Sequence, residues 1–277
     1  CLDNALDWKY RCLRVLPAGL AGFAHQADAQ SNSLMQNVMV STDPPYYDNI
    51  GYADLSDFFY IWMRQSLKGI YPDLFRTMLV PKTEELVANP FKFEGNNDKA
   101  RLFFEEGMLK TFRNINRYAN DDVPVTVYYA FKQTDTDESD STASTGWETM
   151  LSAIIQAGFS ITGTWPLRTE RATRSRGVDS NALASSIVLV CRKRPADAPI
   201  CTRRDFINTL KRELKPALKK LQQSNIAPVD LAQSAIGPGM GVYSRFSKVL
   251  EADGTPMSVR SALQIINQEL DLYFSEQ

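Results

Sequence analysis

Apolar residues along this chain alternate between helical and strand-like spacing, with polar or Pro- and Gly-rich breaks between the runs. Residues 5–27 suggest a helix ending near Gly22 or His25, and 28–35 a polar loop. Val38-Met39-Val40-Ser41-Thr42 then reads as a short strand over 37–42, stopped by Asp43-Pro44-Pro45-Tyr46. Between Asp54 and Leu67 the residues Leu55, Phe58, Phe59, Trp62 and Met63 recur at helical spacing, which predicts a helix packed on a sheet with these side chains in the core. Residues 70–97 hold Pro72, Pro81, Pro90 and Gly95 and predict a long irregular excursion, a feature uncommon in compact domains unless it serves function or moves. The clearest helix covers 98–119, with Leu102, Phe103, Met108, Leu109, Phe112 and Ile115 as its buried face.

The second half continues the alternation. Val123 to Phe131 reads as a fully buried strand beside the 37–42 strand, and the acidic, Ser- and Thr-rich stretch Asp135 to Ser144 as a mobile loop. Trp147 to Ala157 predicts a helix capped by Thr145 and stopped by Gly158. Phe159 to Trp165 and Leu183 to Arg192 then predict two strands joined by a polar, arginine-bearing segment. Beyond Pro195 the pattern is helical at 203–223, 228–235 and 258–275, with a hairpin near Asp253-Gly254 and a stripe of Leu263, Ile266, Leu270 and Phe274 on the last helix. Gly237-Pro238-Gly239-Met240-Gly241 follows a helical rather than a strand pattern, so it reads as a helix stop and turn instead of a nucleotide loop.

Composition narrows the class. With 277 residues, 44% of them apolar, the chain can bury a substantial core as one domain with an appendage or as two small ones. It has neither a run of 18 apolar residues nor a basic stretch leading into an apolar one near Cys1, so no membrane span or signal peptide is expected. Cys1, Cys12, Cys191 and Cys201 form no CxxC pair and read as reduced thiols of a cytoplasmic protein. His25 is the only histidine, which gives little support to a multi-histidine metal site or a serine-histidine hydrolase; no metal is expected. The net charge of −1 says nothing of nucleic acid, but its distribution does. Arg168, Arg171, Arg174 and Arg176 crowd a segment with one acid, Glu170, and could grip DNA phosphates. Residues 192–220 add ten Lys or Arg against Asp197, Asp205 and Glu213, a distribution that over the 203–220 helix reads better as solvated charge than as DNA contact.

The residue types of Asp43-Pro44-Pro45-Tyr46 suit one chemistry. An exocyclic base amine has its lone pair delocalised into the ring, so alkylating it requires electron density to be drawn back onto nitrogen. The Asp43 carboxylate and the Pro44 carbonyl can each accept one amine hydrogen, and the two prolines stiffen the turn. The Tyr46 ring can stack on a base taken out of its helix. Tyr47 and Asn49 are further candidates beside the base, and Trp165 offers an aromatic face that either packs on it or sits in the core at a strand end.

The tetrapeptide and its continuation Tyr47-Asp48-Asn49-Ile50-Gly51-Tyr52-Ala53-Asp54 resemble the large prokaryotic adenine-specific DNA methylases, some of them linked to phage defence. Trp165 to Glu170, Ala182 to Lys193, Ile236 to Met240 and Lys248 to Gly254 resemble further segments of that family. The resemblance implies an α/β fold: an incomplete class I (Rossmann-like) methyltransferase sheet followed by a mainly helical module. Residues 1–195 would form the catalytic half with its DPPY strand and closing hairpin, and 196–277 the helical module. It implies methyl transfer from S-adenosylmethionine to the exocyclic amine of adenine in DNA, in the cytoplasm of a prokaryote. The family's glycine-rich cofactor turn precedes the tetrapeptide, yet only 42 residues do so here, so the cofactor is expected to bind mostly outside this chain, on a missing half or partner. Asp43 leans toward adenine over cytosine, for which Ser is usual at that position, and over RNA or protein glutamine, for which Asn is usual. The rival expectation is a non-catalytic DNA-binding or assembly fragment of a restriction-modification or phage-defence system.

Overall fold

The computed structural model describes residues 2–16, 19–32, 36–47, 51–129, 145–168, 185–223 and 228–275. Within them the chain is mixed α/β, with seven α-helices and a mixed four-stranded sheet. In chain order these are α1 (Leu2–Val15), β1 (Ser41–Thr42), α2 (Tyr52–Leu67), α3 (Asn97–Tyr118), β2 (Val125–Tyr129), α4 (Thr145–Gln156), β3 (Phe159–Arg168) and β4 (Ser185–Lys193). A short second sheet and three helices follow: β5 (Ile200–Thr202), α5 (Arg203–Gln223), α6 (Pro228–Ser244), β6 (Lys248–Leu250) and α7 (Val259–Ser275).

The main sheet runs β1-β2-β4-β3. β1 lies parallel to β2, with Ser41 opposite Thr126 and Thr42 opposite Val127, while β4 runs antiparallel to both β2 and β3. β1 is an edge strand, extended upstream by hydrogen bonds that all run toward β2 and α3: Val38 N–H to the Tyr118 carbonyl at 3.3 Å, Asn120 N–H to Val38 at 2.9 Å and Thr126 N–H to Val40 at 3.0 Å.

Burial along β2 alternates, which corrects the expectation of a strand buried on both faces. Val125, Val127 and Tyr129 join Ile187, Leu189, Cys191, Phe159 and Ile161 under the helices, whereas Thr126 and Tyr128 stay partly accessible. The helical layer is continuous: α4 packs on α3, β3 and α7, and α6 packs on β3, β4 and α7. One apolar cluster therefore runs from Ala88 to Tyr273.

Several expectations shift in register. α3 buries Phe104, Met108, Phe112 and Ile115, while Leu102 turns outward; Ala100, Phe104, Gly107 and Thr111 complete the i, i+4, i+7 face that meets the core. On α7 Tyr273 takes the buried place expected of Phe274. α1 ends at Val15 and buries none of its residues.

The Gly237–Gly241 run is neither a loop nor a helix stop, because it lies inside α6. A side chain at Gly237 would overlap that of Thr164, one at Gly239 would come within 2.6 Å of Ile266, and one at Gly241 within 3.2 Å of the Ile161 carbonyl. The glycines let α6 approach β3 and α7 backbone-close. Thr164 Oγ1 donates to the Ser234 carbonyl at 3.0 Å and the Ser244 hydroxyl accepts from the Ile161 N–H at 2.8 Å, pinning both halves of α6 to β3.

The largest departure concerns α2. Its aromatic side chains do not pack on the sheet: Leu55, Phe58, Phe59 and Trp62 are each more than 60% exposed. The helix is instead fastened along its opposite face by residues 71–85, a strap made of polar anchors. Tyr60 Oη donates to the Thr77 carbonyl at 3.0 Å, Arg64 Nε to the Phe75 carbonyl at 3.2 Å, and the Asp57 carboxylate accepts from Val80 N–H at 2.9 Å and Lys82 Nζ at 2.7 Å. The excursion expected to be irregular is thus ordered by three residues of one helix face.

Candidate functional site

The parallel pairing of β1 with β2 carries the chain to the sheet's end, where Asp43-Pro44-Pro45-Tyr46 leaves the last strand residue. Proline cannot donate to a ladder, so the two prolines stop the pairing at once. Asp43 is exposed, and Pro44, Pro45, Tyr46 and Tyr47 are half-buried. The turn therefore offers a carboxylate to solvent from a base that is packed on both sides.

That packing is aromatic. The Tyr46 ring meets Tyr129 edge-on, centroids 5.7 Å apart, and Tyr129 in turn stacks on Trp147 at 5.9 Å with an interplanar angle of 20°. The Tyr47 ring meets Phe104 of α3 edge-on at 5.2 Å. Gly146, near the start of α4, admits this approach: a side chain there would come 3.1 Å from Tyr47 Cβ and 3.4 Å from the Tyr129 hydroxyl. Edge-to-face geometry suits the ring quadrupoles and holds Tyr46 and Tyr47 in fixed attitudes.

The end of the strap closes on the same turn. The Ala88 N–H donates to the Tyr47 carbonyl at 2.7 Å, and Glu85 Oε1 accepts from the Ala53 N–H at 3.0 Å at the start of α2, where Gly51 supplies no side-chain cap. Lys92 Nζ donates to the Glu85 carbonyl at 2.7 Å and lies 5.7 Å from the Phe103 ring centre. Burial holds the Lys92 ammonium below its usual range, against the opposing pull of Glu85, Asp54 and Glu84. Asn89 accepts from the Phe91 N–H at 3.0 Å and caps a 3-10 turn at Pro90–Phe93. Between this turn and the motif lies a cleft of about 440 Å³, walled by Tyr47, Gly51, Ala88, Asn89, Phe91 and Asn97. A second cavity of about 500 Å³ lies at the β5–α5 junction against β6, and no motif residue lines it.

Trp165 stands on β3, exposed, with its backbone opposite Val188 of β4, which in turn lies opposite Tyr128 of β2. It is not a core residue, which excludes one of the two readings open from sequence. Arg168 is the last residue of β3, opposite Ser185. Asn49, Arg171, Arg174, Arg176 and the acidic loop at 135–144 lie outside the described residues. The structure therefore joins Asp43 to Tyr47 in one turn and sets Trp165 on the accessible face of the same sheet.

Sequence reasoning missed Tyr129, Trp147, Phe104, Gly146 and Ala88, which support the turn. Tyr129, the last residue of β2, was legible as apolar strand; that it meets Tyr46 depends on the parallel register of β1.

The described residues contain no glycine-rich cradle for a nucleotide cofactor after a strand. The one glycine-rich run is filled by Thr164, Ile266 and Ile161 of the protein's own core, so S-adenosylmethionine does not fit there. No group of three or more His, Cys, Asp or Glu able to hold a metal ion occurs among the described residues, and no helix among them is long and apolar enough to cross a membrane. What the fold and site define is a mixed α/β protein with a rigid Asp-Pro-Pro-Tyr turn at the end of an edge strand. No protein-family model, curated protein or solved structure matches the chain.

Proposed function

We propose that this chain is the target-base half of an S-adenosylmethionine-dependent methyltransferase acting on the exocyclic amine of adenine in DNA. The observation that carries the reading is the Asp-Pro-Pro-Tyr turn at the end of β1, held by aromatic packing while its Asp43 carboxylate faces solvent. The sheet order supports it: a parallel pair, β1 and β2, followed by a single reversed strand, β4, and then β3 running with the pair, is the order expected of one half of a Rossmann-like class I sheet. The outer edge of β1 is where the parallel strands of a cofactor-binding half would add.

In this reading Asp43 and the Pro44 carbonyl each accept one amine hydrogen, turning the nitrogen lone pair toward the methyl donor. Pro45 keeps the turn stiff and Tyr46 stacks on the base, with Tyr47 and Asn49 beside it. Trp165 supports the extruded base from β3, and Arg168, Arg171, Arg174 and Arg176 hold the backbone phosphates. The cofactor supplies the electrophilic methyl group from outside this chain.

The packed glycines of α6 favour a second reading for the isolated chain, a DNA-binding or assembly fragment of a restriction-modification or phage-defence system that keeps a base pocket without holding cofactor. Both readings need the base pocket. A duplex carrying 2-aminopurine opposite a mismatch lowers the cost of base extrusion, so its fluorescence should rise on mixing with the chain. Asp43→Ala and Tyr46→Ala should each remove that rise, and an unchanged signal with the wild-type chain sinks the pocket.

A further inference from the structure

The outer face of α2 is an apolar surface that nothing among the described residues covers. Ala53, Asp57, Tyr60 and Arg64 form the face turned toward the strap and Glu85, and they make the bonds described above. On the other side of the helix lie Tyr52, Leu55, Phe59, Trp62 and Ser66, spaced alternately three and four residues apart. That is the spacing of a two-helix seam. Phe58 and Met63 flank it, and six of these seven side chains are large apolar groups between 47% and 67% exposed.

We infer that α2 pairs antiparallel with the α2 of a second copy of this chain through this seam. Three features favour that occupant. Side chains of this kind expose roughly 150–250 Å² each when free, so at these exposures the six offer about 500–900 Å² per copy, a range that includes the roughly 800 Å² that each partner gives a stable interface. The seam carries no charge, and the one basic residue on the opposite face, Arg64, is turned to the strap, so a polyanion finds no phosphate contacts here. Finally, Asp54 lies in the first turn and Lys68 at the C-terminal cap, so an antiparallel pair sets the acidic end of one helix beside the basic end of the other and opposes their dipoles. The two-fold axis then passes near Phe59, with Tyr52 of one copy facing Ser66 of the other. No residue of the Asp43 turn takes part, so the inference stands apart from the methyl-transfer reading.

Sedimentation equilibrium decides it. At concentrations of about 10–100 micromolar the chain should weigh twice 31.2 kDa. Phe59→Glu and Trp62→Glu should each give monomers with the far-UV spectrum of the wild type, because both side chains are exposed. In a background with Cys1→Ser and Cys12→Ser, Phe59→Cys should form a disulfide-linked dimer on mild oxidation. A wild-type monomer throughout that range, or a dimer that persists in both glutamate variants, overturns the inference and gives the seam to a different partner.

Discussion

The Tyr46 ring rests edge-on against Tyr129, and through Tyr129 the Asp43 turn is fixed to the Trp147 indole at the start of α4. Tyr129 is 2% exposed, so Tyr129→Ala leaves a cavity and should cost about 3–5 kcal/mol, as large-to-small aromatic changes in cores do. Tyr129→Phe keeps both ring contacts and should cost far less. Urea unfolding of the two variants separates them. If Tyr129→Ala matches the wild type, Tyr129 does not anchor the turn.

Gly146→Ala tests the same support from the other side. The added methyl must displace Tyr47 or the Tyr129 hydroxyl by a few tenths of an ångström. In the complete enzyme we expect a loss of methylation larger than the loss of stability, because the turn is displaced while the core stays closed. Asp43→Ala is the companion: it should abolish methylation and leave cofactor binding largely intact, and retained activity would remove Asp43 from the mechanism.

Gly239→Ala weighs propensity against packing. Alanine favours a helix over glycine by about 1 kcal/mol, but its Cβ would lie 2.6 Å from the fully buried Ile266. Overpacking costs about 1–3 kcal/mol, so the variant should be net destabilised. A second change, Ile266→Val, should recover part of the loss. A more stable Gly239→Ala variant would mean that α6 does not sit this close to α7.

The strap should respond to acid. The Lys82 ammonium, followed by the Val80 N–H, holds the Asp57 carboxyl below its ordinary range. A carboxyl depressed in the folded state stabilises it above the unfolded value and loses that contribution as pH falls through the folded one. Residues 71–82 should therefore loosen below the usual carboxylate range, read as faster exchange of the Val80 amide relative to its intrinsic rate. Asp57→Asn should exchange fast at every pH; a pH-independent wild type would show that Asp57 does not fasten the strap.

Alkali probes the C-terminal helices. Burial pushes the Tyr243 phenol up to about 12, and its hydroxyl donates to the Met257 carbonyl at 2.7 Å. The folded state prefers the neutral phenol, so its contribution is complete below the unfolded value near 10 and disappears as pH rises toward about 12. Thermal melts should fall across that window more steeply than those of Tyr243→Phe. At neutral pH, Tyr243→Phe should cost about 1–2 kcal/mol for the carbonyl left without its donor.

Sequence by itself determined the element types and the turn. Continuous apolar runs marked β2 and the β3–β4 pair, helical spacing marked α3 and α7, and the two prolines after Thr42 marked where β1 must end, since each of these depends on near neighbours in the chain. Tertiary structure alone decided which apolar face is buried. Leu55, Phe59 and Trp62 have the spacing of a core stripe, but Asp57, Tyr60 and Arg64 bind the strap on the opposite side, so the stripe faces outward. Likewise Gly237–Gly241 carries a loop's composition, yet lies within a helix because Thr164, Ile161 and Ile266 occupy the space that side chains would need. The packing of Gly237 and Gly241 depends on Thr164 and Ile161, 73 and 80 positions away in the chain, and local periodicity carries no record of them.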